Sequence, residues 1–220
     1  MKHYAIIVGG GSGSRMGSYI PKQFLLINGK PIVMYTIEAF YKSDLKPTII
    51  LVIPLEYKEY WNELCMEYNF EIPHSIIFGG ENRFNSVKNA LKELEENSIV
   101  AIHDAVRPII KNQIINNAFL QAELHNNAIT AIAVKDSVRQ IIGDTSVQLN
   151  RDEIYLIQTP QAFKFDILQK AYNLEYNKRF TDDASVVESL GYKINLIAGD
   201  VENIKITFPE DLKLAEFYLR

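Results

Sequence analysis

Short runs of β-branched and apolar residues alternate along this chain with segments of helical periodicity. The runs predict strands over residues 4–8, 48–53, 75–78, 99–103, 129–134, 194–197 and 204–207, and the periodic segments predict helices over residues 32–41, 56–68, 84–95, 112–125, 165–175, 182–190 and 210–218. Strand–helix alternation is typical of an open, mostly parallel sheet with helices on both faces. Ligands of such sheets bind at the carboxyl ends of the strands, near the topological switch point.

The stretch from Lys135 to Tyr155 breaks this alternation. Two strands are predicted there, over residues 138–142 and 146–149, around a turn at Gly143-Asp144. We therefore expect an α/β fold with a Rossmann-like, mostly parallel twisted sheet. Residues 1–220 would form a single domain, from which a β-arm of about residues 135–156 protrudes.

Composition narrows the classes of partner. The chain has 220 residues and a formal net charge of −4, so it lacks the overall basic character of a nucleic-acid-binding protein. Any phosphate site must be built locally from a few cations or a metal. No apolar run is long enough to span a bilayer, and the first residues do not form a signal peptide. A single cysteine cannot form an internal disulfide, and the expected location is cytoplasmic.

A glycine-rich segment follows the first predicted strand. Glycines let the backbone approach a ligand closely, so that successive N–H groups can surround phosphate oxygens. The P-loop pattern is excluded because the segment does not end in Gly-Lys-Ser/Thr, and Met16 falls where the dinucleotide pattern needs its third glycine. The candidate phosphate-binding residues are Gly9, Gly10, Gly11, Ser12, Gly13 and Ser14.

Two cations accompany this segment. Arg15 lies within it, and Lys22 follows seven residues later in Pro-Lys-Gln-Phe. Fixed positive charges beside a glycine loop suit a triphosphate that loses pyrophosphate, because negative charge builds up on the α-phosphate and the leaving group. The alternative is a glycine turn followed by solvated surface charges.

A second candidate site is the His-Asp-Ala-Val-Arg-Pro segment at residues 103–108, which ends an apolar strand. Asp104 is placed to bind Mg²⁺, which prefers oxygen ligands. Arg107 could contact a phosphate or pair with a carboxylate. The alternative is a structural Asp–Arg pair. Zinc is disfavoured because no second His or Cys lies at ligand spacing around His103.

Three weaker signals remain. Ser86 and the turn at residues 79–83 could recognise a base or ribose, although a plain strand-to-helix turn fits nearly as well. The Thr-Asp-Asp segment at residues 181–183 is typical of a helix N-terminus whatever the function. Lys205 lies in an apolar segment, where a lysine is costly without an anionic partner.

Taken in order, the motifs resemble those of the 2-C-methyl-D-erythritol 4-phosphate cytidylyltransferase family of the non-mevalonate isoprenoid pathway. The resemblance covers residues 4–219 and includes Gly-Ser-Gly-Ser-Arg-Met-Gly, Pro-Lys-Gln-Phe, His-Asp-Ala-Val-Arg-Pro, Val-Lys-Asp-Ser, Gln-Thr-Pro-Gln-Ala-Phe, Thr-Asp-Asp-Ala-Ser and Asn-Ile-Lys-Ile-Thr. It implies a Mg²⁺-dependent reaction in which CTP and methylerythritol phosphate give CDP-methylerythritol and pyrophosphate.

The resemblance also implies roles for individual residues. Arg15 and Lys22 match the catalytic cations, and Asp104 matches the residue associated with Mg²⁺. The 9–14 loop, Gly80, Glu81 and Ser86 match positions around cytidine and its phosphates. The family's arm hooks onto a second subunit of a homodimer and brings substrate-binding residues across the dimer; the matching positions here are Ser137, Arg151, Thr159, Thr181 and Lys205. Arg107, from its place in the His-Asp-Ala-Val-Arg-Pro segment, is also expected to bind substrate. Ser137 departs from the threonine common in the family but keeps the hydroxyl.

Three alternatives stay open at this stage. A ribitol 5-phosphate cytidylyltransferase shares the glycine loop and the His-Asp-Ala-Val-Arg-Pro motif, and differs in the polyol pocket. An NAD-dependent oxidoreductase is weakened by the failed glycine spacing. A non-catalytic nucleotide-binding protein would bind CTP without turnover.

Overall fold

The computed structural model describes residues 1–11 and 20–220. The strands are β1 (Lys2–Val8), β2 (Leu26–Ile27), β3 (Lys30–Pro31), β4 (Thr48–Ile53), β5 (Ser75–Phe78), β6 (Ser98–Asp104), β7 (Asn127–Ala133), β8 (Val138–Ile142), β9 (Thr145–Leu149), β10 (Tyr155–Lys164) and β11 (Leu196–Ala198). The α-helices are α1 (Ile32–Tyr41), α2 (Lys58–Glu67), α3 (Arg83–Leu91), α4 (Asn112–His125), α5 (Phe165–Tyr172), α6 (Asp183–Glu188) and α7 (Pro209–Tyr218).

Seven strands form one sheet in the order β11-β7-β10-β6-β1-β4-β5. Only β10 among them runs antiparallel to its neighbours, β6 and β7. The other pairings, β11 with β7, β6 with β1, β1 with β4 and β4 with β5, are parallel. The predicted α/β class with a mostly parallel sheet is therefore confirmed.

Successive side chains of a strand point to opposite faces of the sheet, which explains why helices cover both faces. In β1, Ala5 and Ile7 join an apolar cluster with α1, α2 and α4. Tyr4, Ile6 and Val8 point to the opposite face and pack in a second cluster with α3, α5 and α6. Strands buried on both faces read as near-continuous apolar runs, which is why the central strands were identifiable. None of the helices in the described part is long and apolar enough to cross a membrane.

Two strand assignments from the sequence need correction. Residues 204–207 are not a strand: Ile206 is fully buried, and its N–H donates to the carbonyl of Val106, but no ladder forms. The apolar pattern there reflects burial against α7 rather than sheet pairing. Conversely, β10 was not predicted, because Gln158, Thr159 and Gln161 interrupt its apolar pattern although all three are buried.

Several predicted helices are shorter than expected. The segment predicted as helix over 56–68 begins with a 3₁₀ turn at Leu55–Tyr57, and only Lys58–Glu67 is α-helical. Helix α3 ends at Leu91 rather than at residue 95, and α5 ends at Tyr172 rather than at residue 175. The apolar periodicity does not define where these helices end, because apolar residues continue into the following turn.

The predicted two-stranded segment is present as a hairpin of β8 and β9, which pair with each other in a separate sheet. Gly143 takes a left-handed backbone conformation in its turn, with φ of 58°. Large apolar side chains of the hairpin are exposed, including Ile141 (71%), Ile142 (55%) and Val147 (48%). The use of this arm in dimerisation stays a prediction.

Candidate active site

The site lies at the carboxyl ends of β1 and β6, where the order of the strands reverses. The chain leads from β1 outward to β4 and β5, whereas β6 returns to the other side of β1. Val8 and Asp104 are register partners at these strand ends. The sheet therefore places Gly9–Gly11 beside Asp104, in the crevice where α/β sheets bind ligands.

Local hydrogen bonds bring Lys22 back to the glycine loop. The Gly9 N–H donates to the Val52 carbonyl at 2.8 Å, and the buried Gln23 amide donates to the Gly9 carbonyl. Lys22 opens the 3₁₀ turn that holds Gln23, and its Nζ donates to the Ile206 carbonyl at 3.1 Å. Ser12, Gly13, Ser14 and Arg15 lie outside the described residues.

The first of two cavities, here called the glycine-loop cavity, has a volume of about 370 Å³. Six predicted site residues line it, namely Gly10, Gly11, Lys22, Glu81, Asp104 and Lys205. Its described lining consists of Val8, Gly10, Gly11, Lys22, Glu81, Asn82, Arg83, Asp104, Val106 and Lys205.

The second cavity, here called the Thr159 cavity, has a volume of about 260 Å³. The predicted residues Arg107, Thr159 and Thr181 lie in its wall. The described lining consists of Arg83, Asp104, Arg107, Ile157, Gln158, Thr159, Gln161, Thr181, Asp182 and Lys205. Arg83, Asp104 and Lys205 belong to both walls, so the two cavities meet at Asp104.

Three cations surround the Asp104 carboxylate. Lys205 Nζ lies 3.0 Å and Arg107 Nε 3.3 Å from its Oδ2, and Arg83 Nε lies 3.6 Å from its Oδ1. Burial by itself would raise the pKa of the Asp104 carboxyl, but the Arg83, Lys205 and Arg107 charges hold this pKa well below its usual range. Asp104 is therefore ionised throughout the physiological pH range, and Lys205 has the anionic partner that the sequence required.

His103 is a structural residue of this site. Its Nε2 donates to the Arg107 carbonyl at 3.1 Å, so its Nδ1 accepts a hydrogen bond from the Thr159 hydroxyl at 3.0 Å. The Asp104 N–H donates to the same hydroxyl oxygen. Burial lowers the pKa of His103 to about 4, so the ring is neutral near pH 7. His103 thereby fixes Thr159 beside Asp104.

The turn after β5 forms one end of the glycine-loop cavity. Ser86 is buried, and its hydroxyl donates to the Asn82 carbonyl and accepts from the Gly80 N–H at 3.1 Å. A Cβ on Gly80 would lie 2.5 Å from the Cβ of Asn85, so a side chain does not fit there. Ser86 thus shapes the turn, while Gly80 and Glu81 are exposed beside the cavity.

Two predicted site residues lie elsewhere. Ser137 and Arg151 are exposed and are absent from the described lining of both cavities. Arg151 Nη1 donates to the Lys135 carbonyl at 3.3 Å, at the base of the β8–β9 hairpin. The described chain therefore does not bring Ser137 or Arg151 into the wall of either cavity that Asp104 lines.

Sequence reasoning missed Arg83 as a site residue. It opens α3 and lies in both cavity walls, and its guanidinium binds Asp183 at the start of α6. From the sequence, Asp183 is recognisable only as a first-turn carboxylate, because it lies 100 positions from Arg83. The available signal was the position of Arg83 directly after the Gly-Gly-Glu-Asn turn.

The arrangement defines a class of protein. The site combines the backbone of a glycine loop, several cations, an ionised carboxylate and two adjoining cavities. This combination suits the transfer of a phosphoryl-linked group from one phosphate ligand to another. These are the features of a nucleotidyltransferase.

Comparison with known proteins gives the family. The sequence profile of 2-C-methyl-D-erythritol 4-phosphate cytidylyltransferase matches residues 3–220. The enzyme of that name from Bacteroides fragilis is 48% identical over 98% of both chains. The Francisella tularensis enzyme of that name has a solved structure with a TM-score of 0.80, 32% identity and coverage of 99% of this chain and 100% of its own. The 4-diphosphocytidyl-2C-methyl-D-erythritol synthase from Anaerococcus prevotii matches with a TM-score of 0.85 and 29% identity, over 99% of this chain and 96% of its own. The chain belongs to the 2-C-methyl-D-erythritol 4-phosphate cytidylyltransferase family.

Proposed function

We propose that this enzyme joins CTP and 2-C-methyl-D-erythritol 4-phosphate to give CDP-methylerythritol and pyrophosphate, as a step of isoprenoid precursor synthesis. The observation that carries the proposal is that the two cavities meet at Asp104, Arg83 and Lys205. CTP would occupy the glycine-loop cavity, and the polyol phosphate would occupy the Thr159 cavity. Family membership supports this assignment over a ribitol 5-phosphate substrate.

The chemistry needs alignment more than acid–base groups. A phosphate oxygen of methylerythritol phosphate attacks the α-phosphorus of CTP and forms a new P–O bond. The bond from the α-phosphorus to the bridging oxygen breaks on the opposite side, and that oxygen leaves with the pyrophosphate. A phosphate monoester is already anionic at neutral pH, so no general base is required.

The cations of the site would have separate tasks in this mechanism. Lys22, with Arg15 from the loop, would stabilise charge on the α-phosphate and the leaving pyrophosphate. Lys205 and Arg107 would hold the attacking phosphate in the Thr159 cavity, with the Thr159 and Thr181 hydroxyls beside it. Gly80, Glu81 and the turn braced by Ser86 would contact the cytidine.

Asp104 fits a role as a magnesium ligand. Among the described residues there is no cluster of three or more His, Cys, Asp or Glu side chains that could hold a metal by itself. Mg²⁺ commonly takes one or two carboxylates and completes its shell with phosphate oxygens and water. A single ionised carboxylate beside a triphosphate cavity matches that pattern. When bound, Mg²⁺ would neutralise charge on the triphosphate.

The substrate assignment predicts a specific pattern of pyrophosphate release. With CTP and Mg²⁺, methylerythritol 4-phosphate should give rapid release, and ribitol 5-phosphate should give a kcat/KM at least about 100-fold lower. UTP and ATP serve as nucleotide controls in the same coupled assay. Pyrophosphate release with ribitol 5-phosphate but not with methylerythritol 4-phosphate would overturn the polyol assignment. No release with either substrate would overturn the assignment as a cytidylyltransferase.

We also propose that the working unit is a homodimer in which the β8–β9 arm of one subunit reaches the site of the other. Two observations support this proposal. The hairpin exposes apolar side chains, and Ser137 and Arg151 lie at its base, outside the described lining of the cavities of the same chain. Arg151 would then contact the polyol phosphate across the dimer.

Mixed dimers test this arrangement. Lys22→Ala and Arg151→Ala should each be nearly inactive alone. Refolded together in equal amounts, they should recover about one quarter of wild-type activity, because half of the dimers are mixed and carry one intact site. Lack of recovery, with mixed dimers verified by mass, would show that Arg151 serves its own subunit.

A further inference from the structure

Arg83 has a geometry that differs from that of the other cations in the site. Its Nη1 donates to Asp183 Oδ1 at 2.8 Å, and its Nη2 donates to Asp183 Oδ2 at 2.6 Å. The Asp183 side chain is completely buried, whereas 30% of the Arg83 side chain is exposed. A two-bond pair of this kind fixes the plane of the guanidinium as well as its position.

This pairing determines which nitrogen of Arg83 faces Asp104. Both terminal nitrogens are directed to Asp183, and Nε lies 3.6 Å from Asp104 Oδ1. The other two cations, Lys205 and Arg107, contact Oδ2. Within the described part of the chain, Arg83 is thus the cation placed against Oδ1. Different cations therefore contact the two oxygens of the carboxylate.

We propose that Arg83 is a positioning residue for Asp104: Asp183 locks the guanidinium, and the guanidinium sets the orientation of the Asp104 carboxylate where the two cavities meet. The inference rests on the proposed function, in which Asp104 is the magnesium ligand. Outer partners of metal-binding carboxylates orient them, and their loss typically costs about 10- to 100-fold in metal affinity or activity. The competing explanation is a buried ion pair that contributes only to stability.

Two variants separate these explanations. Arg83→Lys keeps the positive charge, but one ammonium nitrogen cannot reproduce the two-bond pair with Asp183 and also face Asp104. Tyr172→Phe is the matched control, because the Tyr172 hydroxyl donates to Asp183 at 2.6 Å, yet Tyr172 lies outside the described lining of both cavities. It removes one bond to Asp183 and leaves both Arg83 bonds in place.

For Arg83→Lys we expect kcat to fall about 10- to 100-fold, with the KM for CTP changed less than about threefold. Binding of Mn²⁺ in the presence of CTP, followed by electron paramagnetic resonance, should weaken by a comparable factor. Tyr172→Phe should lower Tm while kcat and Mn²⁺ binding stay within about twofold of wild type.

A double variant tests whether Arg83 acts through Asp104. In an Asp104→Asn background, adding Arg83→Lys should lower kcat by less than about twofold, because the residue it positions is already lost. If Arg83→Lys does not fold, the uncharged pair Arg83→Gln with Asp183→Asn replaces it, with the same expectations. A folded variant with wild-type kcat and Mn²⁺ binding, or additive losses in the double variant, would overturn the inference. Absence of pyrophosphate release by the wild type would instead overturn the proposed function.

Discussion

Lys22→Ala is expected to lower kcat by at least about 100-fold while the protein stays folded. Lys22 lines the glycine-loop cavity, and its Nζ lies 3.1 Å from the Ile206 carbonyl, so its ammonium is held beside the position proposed for the triphosphate. Charge grows on the leaving pyrophosphate during the reaction, so a fixed cation stabilises the transition state more than the bound substrate. The measurement is steady-state pyrophosphate release at saturating CTP.

Lys30→Ala is the matched control for this variant. Lys30 is also a partly buried lysine near the glycine loop in sequence, but its Nζ pairs with Glu38 at 2.8 Å and it is absent from the described lining of the cavity. It should keep kcat within about twofold and lose about 1 to 2 kcal/mol of stability, because its ion pair is partly buried and its Nζ lies 3.9 Å from the centroid of the Tyr35 ring. Near wild-type turnover by folded Lys22→Ala would remove Lys22 from the catalytic machinery.

Asp104→Asn should have the second large effect, on both activity and stability. Removing the carboxylate charge takes away the proposed magnesium ligand and leaves Arg107, Lys205 and Arg83 without their shared anion. We expect kcat to fall by at least about 100-fold. The free energy of unfolding at pH 7 should fall by about 3 kcal/mol, the low end for breaking a buried ion pair, because Arg83 keeps Asp183 and Lys205 is partly in water.

The loss of stability should depend on pH in a defined direction. The pKa of Asp104 in the folded protein lies well below its ordinary value of 3.8, so the unfolded chain binds the proton first as the pH falls. The stabilisation is complete above about pH 4 to 5 and is lost on further acidification. Urea unfolding should give the same difference between wild type and Asp104→Asn at pH 7 and 5, and a smaller one at pH 3.

Asp44→Asn is a surface control for that series. Asp44 is exposed and accepts hydrogen bonds from Asn112 and Asn116, away from both cavities. Its stability difference from wild type should be small at all three pH values. A constant difference between wild type and Asp104→Asn down to pH 3 would show that the pKa of Asp104 is not depressed.

Much of the fold could be predicted from the sequence because the buried strands have a local signature. The β4 and β5 bounds were correct to the residue, since Thr48–Ile53 and Ser75–Phe78 are short apolar runs between polar segments. β10 could not be found this way. Its polar residues Gln158, Thr159 and Gln161 are buried through contacts with distant segments, such as the bond from Gln161 to Asp182.

The candidate site was predictable where a motif follows a strand end. Asp104 ends β6 and the glycine loop follows β1, so sheet topology alone brings them together. The sequence indicates that Lys205 needs an anionic partner. It does not identify Asp104 as this partner, because the two residues lie 101 positions apart. The Arg83–Asp183 pair could not be found from local sequence, because its two members lie 100 positions apart, and Asp183 by itself is typical of an ordinary helix start.

We expect the cytidylyl group to pass by direct in-line displacement between two substrates held on either side of Asp104. The test uses CTP that carries one sulfur of known configuration on the α-phosphorus, and the enzyme converts it together with methylerythritol 4-phosphate. The configuration at phosphorus in the product is then assigned by ³¹P NMR. A single displacement predicts the sulfur-labelled CDP-methylerythritol with inverted configuration at phosphorus. Retention would require a cytidylyl–enzyme intermediate, and either retention or the absence of this product would rule out direct displacement.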